Sequence, residues 1–258
     1  MRKIVTINKK IKFDADLNEM QKCTDVVKMN GINNNVETKI FPQNEKMGGY
    51  SVFKIEYFRK LAVVGMLDGK FFKSILKQYE FPVLVDNAKK YVLSLSDSKG
   101  IIARAALKKL RKGTSVQCSP IKLDLTDVYA CILHDFPDVE VYSGWFSKLG
   151  AQLQNALLQG SNVNEDSDWT KYKEKKGAEL KNIQLRFFDD DYLGGSVIIS
   201  ISSRGFIFTN SIISEKKFIN LIDKIIERLD KAGLILDADR EKTEEAMEET
   251  EILYRAQV

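Results

Sequence analysis

Cys131 and His134 have the residue types for nucleophilic catalysis. They stand three apart in Cys131-Ile132-Leu133-His134-Asp135, so a helix would place both on one face. A thiol beside an imidazole is an activatable nucleophile. Catalytic Cys and His usually converge from separate elements, however, and His134 is the only histidine in the chain. A zinc site needs several Cys or His ligands. Cys23, Cys118 and Cys131 are widely spaced with no Cys-x-x-Cys pair, so they read as buried thiols of a reducing compartment, with no metal site and no cofactor expected.

Asp189-Asp190-Asp191 is an oxygen-rich cluster of the kind that binds Mg²⁺ or Ca²⁺. It precedes Gly194-Gly195 between two apolar runs, where Asp favours turn geometry. The residues read as a hairpin turn. Arg111-Lys112-Gly113-Thr114-Ser115 has donors suited to phosphate, but it follows a helical pattern instead of opening one, and so lacks the helix N-terminus that makes such loops effective. The chain has no Gly-x-x-x-x-Gly-Lys-Ser/Thr, Gly-x-Gly-x-x-Gly or Gly-x-Ser-x-Gly motif, and no kinase or deaminase pattern. These absences weigh against an ordinary enzyme.

The strongest positive feature is a helical pattern over residues 98–112, capped by Asp97 or Ser98 and ended by Gly113. Ile102, Ala106 and Leu110 form its apolar stripe. Arg104, Lys108, Arg111 and Lys112 fall on the opposite side, and Lys99 and Lys109 extend the positive field. A one-signed face repels itself in water, which points to an anionic partner. The expectation is one exposed cationic face that binds nucleic acid through Lys99, Arg104, Lys108, Lys109, Arg111 and Lys112. The competing reading is that these cations complement the helix dipole. Aromatics also recur beside cations, at Tyr57-Phe58-Arg59-Lys60, Lys70-Phe71-Phe72-Lys73 and Lys89-Lys90-Tyr91. Aromatic faces can stack bases, although such residues are more often core with lysines at the rim.

Charge follows the same trend. Residues 1–120 hold 23 Lys and Arg against 11 Asp and Glu, and residues 121–258 hold 17 against 25. Such asymmetry suggests an anionic partner for the basic half. No apolar run reaches membrane-span length, and Gly65 interrupts the run Leu61–Leu67. The N-terminus lacks the apolar core of a signal peptide. The expected location is the cytoplasm, with no membrane partner.

The elements that must position these residues read as α+β. Strands are expected at 4–7, 11–13, 36–41, 51–58, 82–85, 91–95 and 115–125. Helices are expected at 70–78 and 148–158, and 14–29 has loosely helical spacing. Residues 31–35 read as a loop. Strands over 183–188, 196–201 and 206–209 form a meander before a helix over 214–229. The domain expectation is a basic, sheet-rich lobe over 1–160, a meander with its packing helix over 175–235 and an acidic, helix-prone tail over 236–258. The polar run 161–168 reads as an exposed connection. The functional expectation is a non-enzymatic nucleic-acid-binding or regulatory protein. One alternative is a protein–protein interaction module, a subunit or inhibitor acting through charge complementarity; a protein partner or a homo-oligomer is compatible with either reading. The other is an enzyme with an unfamiliar carboxylate or Cys/His site.

Overall fold

The computed structural model describes residues 3–96 and 100–238. It is a sheet-rich α+β protein: 49% of the described residues are strand and 21% helix, so strand alternation places about half of the side chains. Among the described residues no helix is long and apolar enough to cross a membrane. The chain divides into two compact units, one of Asn8–Ser119 and one of Met1–Ile7 with Pro120–Val258.

The Asn8–Ser119 unit is an antiparallel sheet with one helix on it. β2 (Gln21–Met29), β3 (Ile32–Met47), β4 (Tyr50–Leu61), β7 (Ile75–Val85) and β8 (Tyr91–Ser96) lie in the order β8-β7-β4-β3-β2, and the second half of β1 (Lys3–Lys12) adjoins β8. Lys10 donates its amide to the Lys90 carbonyl there at 2.7 Å. Between β4 and β7 the chain makes a separate hairpin, β5 (Gly65–Leu67) with β6 (Lys70–Phe72). Alternation puts Ile40, Ile55, Phe81 and Val83 on one face of the sheet, where α1 (Ile101–Leu110) presses Ile102, Ala103, Ala106, Leu107 and Leu110 into the same core. β9 (Gln117–Leu123) leads out of the unit.

The second unit has the strand order β11-β10-β12-β13-β14-β1, through the Lys3–Ile7 part of β1. The strands are β10 (Val139–Ser147), β11 (Asn155–Gln159), β12 (Glu179–Phe188), β13 (Ser196–Ser202) and β14 (Phe206–Thr209). All these pairings are antiparallel. α2 (Leu125–Asp135) starts at Asp124, whose carboxylate accepts the Thr126 amide, and α4 (Glu215–Lys231) starts at Ser214, which caps Lys217. Such caps satisfy the first unpaired amides of a helix. α4 buries Phe218, Ile222, Ile225, Ile226 and Leu229. β15 (Ile235–Asp237) pairs with β9 over Ile121–Leu123.

Several local readings change. Residues 21–29 form a strand, because Met29 and Ile32 close a hairpin across Asn30-Gly31, both at positive φ; this also makes 32–35 strand. Residues 70–78 are β6 and the start of β7, and 155–159 pair with β10 instead of forming a helix. In each case sheet pairing overrides a short helical spacing. The run 161–168 contains a 3₁₀ turn (Val163–Glu165) and opens α3 (Ser167–Lys173), with Val163 and Trp169 buried. Of the expected acidic, helix-prone tail over 236–258, Leu236 and Asp237 belong to β15 and the residues after 238 lie outside the described residues.

Candidate functional site

α1 begins after Gly100, which makes no side-chain cap; the expected caps Asp97 and Ser98, like the candidate Lys99, lie outside the described residues. Its cations do not form one exposed face. Arg104 is buried, at 7% exposure. The apolar arc of α1 is wide, and in the first turn it also covers Ile101, so Arg104 at its margin is enclosed along its stem. Lys109 pairs with Asp25 of β2 at 2.9 Å. Lys108 and Lys112 are exposed and Arg111 is half-exposed.

The helix exit meets the start of β2 in a shallow, open depression of about 610 Å³ lined by Gln21, Lys22, Arg111, Lys112, Gly113, Thr114, Ser115 and Gln117. Its shape is set by local hydrogen bonds. The Thr114 hydroxyl donates to the Leu110 carbonyl at 2.8 Å and accepts the Val116 amide at 3.1 Å. The Ser115 amide donates to Gln21 Oε1 at 2.8 Å, and Gln21 Nε2 donates to Ser115 Oγ at 2.7 Å. The amides of Lys112, Gly113 and Thr114 donate to carbonyls of the last helical turn. These backbone donors are therefore already engaged and form no phosphate cradle. What remains for an anion is the side-chain charge of Arg111, Lys112 and Lys22. Lys22 also reaches Glu37 at 2.6 Å, in an exposed pair that contributes little to stability. Lys22 escaped sequence reasoning because it stands 90 positions from Lys112 and only the sheet brings it to the helix exit.

The unit carrying this depression is basic. Residues 8–119 contain 21 Lys and Arg against 11 Asp and Glu, and the remainder of the chain 19 against 25.

The aromatic–cation motifs separate. Tyr57 and Tyr91 are each 8% exposed and belong to the interior. Phe71 is 76% exposed.

Cys131 and His134 both lie on α2, three residues apart. The His134 side chain is 88% exposed and its Nδ1 lies 2.8 Å from Asp135 Oδ1. Burial pushes the Cys131 thiol up, with Asp135 adding to the effect against Arg228, which is the wrong direction for a nucleophile. The Asp189 carboxylate accepts the Asp191 amide at 2.8 Å, and the Asp189 amide donates to the Gly195 carbonyl, so the acidic run is built as a turn. Among the described residues no three His, Cys, Asp or Glu side chains group as metal ligands.

No protein-family model and no curated protein matches the chain.

Proposed function

We propose that this is a non-enzymatic nucleic-acid-binding protein whose basic Asn8–Ser119 unit contacts phosphates, with the acidic remainder serving protein contacts. The observation that carries this reading is the convergence of Lys22, Arg111 and Lys112 on one open depression in a unit with ten more cations than anions. An open cationic surface without an enclosed cleft suits a long polyanion contacted at many points, and each phosphate neutralised releases counterions. Lys108 lies one turn back on the same helix and extends the contact.

The test is binding of the full chain to duplex and single-stranded DNA and RNA over a salt series. Affinity should fall linearly with salt on a log–log scale. Wild-type protein with no salt-sensitive binding to any of these would overturn the proposal. The alternative of a protein–protein module is favoured by the edge strand β11, where Leu157 is 49% exposed; unpaired strand edges are templates for a partner strand.

A further inference from the structure

We propose that the β5–β6 hairpin is a stacking platform for an unpaired base, which makes single-stranded nucleic acid the preferred partner of the Asn8–Ser119 unit. This rests on the phosphate-binding reading above and adds the form of nucleic acid that the unit takes.

The hairpin is built so that one aromatic is held inward and the other is presented. Gly65 pairs with Phe72, Met66 with Phe71 and Leu67 with Lys70. Alternation therefore sends Phe71 and Phe72 to opposite faces. Phe72 closes over Gly65, where a Cβ would stand 2.5 Å from its Cζ; only a residue without a side chain admits the ring. Phe71, on the other face, is 76% exposed and its cross-strand neighbour Met66 60%. A ring on a paired strand loses little conformational freedom on binding, which favours stacking.

The segment that carries this ring is predominantly cationic. Residues 58–78 contain Arg59, Lys60, Lys70, Lys73 and Lys77 against a single acid, Asp68. The hairpin is also tied to the strand that leads to the phosphate depression. The Lys73 amide donates to Asn30 Oδ1 at 3.1 Å, at the far end of β2, and Lys60 Nζ donates to the Lys28 carbonyl at 2.7 Å. Gln21 and Lys22, at the near end of β2, line the depression. Eight steps of strand span about 27 Å, a length that a few nucleotides of a single strand bridge, and single-strand sites take roughly 4–16 nucleotides.

Charge and shape choose among occupants. Five cations against one acid call for an anionic occupant. A bilayer would receive the hairpin turn first, and that turn is Asp68-Gly69, a carboxylate that is costly to drive into hydrocarbon. A duplex keeps its base faces inside the stack. An unpaired strand offers both phosphates for the lysines and a π-face for Phe71.

The test uses the full chain and labelled oligo-dT and oligo-rU of about 16 nucleotides, with a duplex of equal length, read by fluorescence anisotropy over a salt series. The single strands should bind more tightly than the duplex. Phe71→Ala should weaken single-strand binding by roughly 5- to 150-fold, the range for one stacked base, with an unchanged salt slope. Phe71→Leu should lose as much, and Phe71→Trp should retain affinity while its fluorescence is quenched by the oligonucleotide. Thermal unfolding of each variant separates lost stacking from lost fold, and the retained binding of Phe71→Trp reports on the site in folded protein. If the duplex binds equally well and Phe71→Ala is silent, while substitution of Lys108, Arg111 and Lys112 flattens the salt slope, the platform is overturned and the phosphate site stands. Wild-type affinity in Phe71→Leu overturns stacking, because any apolar side chain then suffices. Co-sedimentation with phosphatidylserine vesicles that the oligonucleotides do not compete would assign the hairpin to a lipid surface and overturn the proposal. Absence of binding to every nucleic acid removes both readings.

Discussion

The indole of Trp169 lies against the bare backbone of Gly144: a Cβ on that glycine would be 2.2 Å from Cζ3 and 2.6 Å from Cη2. Trp169 is 1% exposed, and Phe146 and Tyr129 meet it edge-on at 5.0 and 5.5 Å. The ring is thus fixed on three sides. Gly144→Ala should lower stability by about 1–3 kcal/mol, the usual cost of overpacking a core, and shift the emission of the buried tryptophan. The check is the denaturant midpoint followed by fluorescence. An unchanged midpoint and spectrum would show that the indole does not rest there.

The basic helix offers a contrast within one element. Replacing Lys108, Arg111 and Lys112 together by Gln should flatten the slope of log affinity against log salt by roughly two to three units. Each exposed replacement should change stability by no more than about 0.5 kcal/mol. Arg104→Ala should behave differently, because its stem packs in the interior at 7% exposure, and thermal unfolding should show a clear loss. Equal stability effects at Arg104 and Lys112 would contradict the buried placement.

The three thiols should differ in reactivity. Cys23 and Cys118 are buried and Cys131 is half-buried. Burial pushes the Cys118 thiol up to about 12, leaving almost no thiolate at neutral pH. Timed labelling with a thiol reagent, read by mass spectrometry, should modify Cys131 first and Cys118 only on unfolding. Early labelling of Cys118 would refute this order.

Glu179 should report on acid stability. Partial burial pushes its carboxyl up, but hydrogen bonds and charge from Lys148 and Lys181 outweigh this and hold it at about 2. A carboxyl depressed in the folded state stabilises above its unfolded pKa of about 4.3 and loses that contribution as pH falls toward the folded value. The side chain is 42% exposed, so solvent screening keeps the effect small. Melting temperature between pH 5 and about 2 should therefore fall less steeply in Glu179→Gln than in wild type. Parallel curves would show that the Lys148–Glu179–Lys181 cluster contributes nothing.

Some of this protein is determined by its sequence alone. The period-two run Ser51–Phe58 lies within β4, and the apolar stripe from Phe218 to Leu229 is the buried face of α4, because long, consistent periodicity outweighs competing local preferences. The excess of cations before residue 120 is likewise countable. The tertiary structure alone decided the rest. Phe71 and Phe72 fit a short helix until the pairing of β5 with β6 sends them to opposite faces. Arg104 fits a cationic stripe until the wide apolar arc of α1 closes around it. Lys22 and Lys112 become neighbours of one depression only because β2 is laid beside the exit of α1. Periodicity describes one segment at a time, whereas burial and convergence depend on which distant segment packs against it. That is set by hydrogen-bonded pairing and close packing across the whole unit.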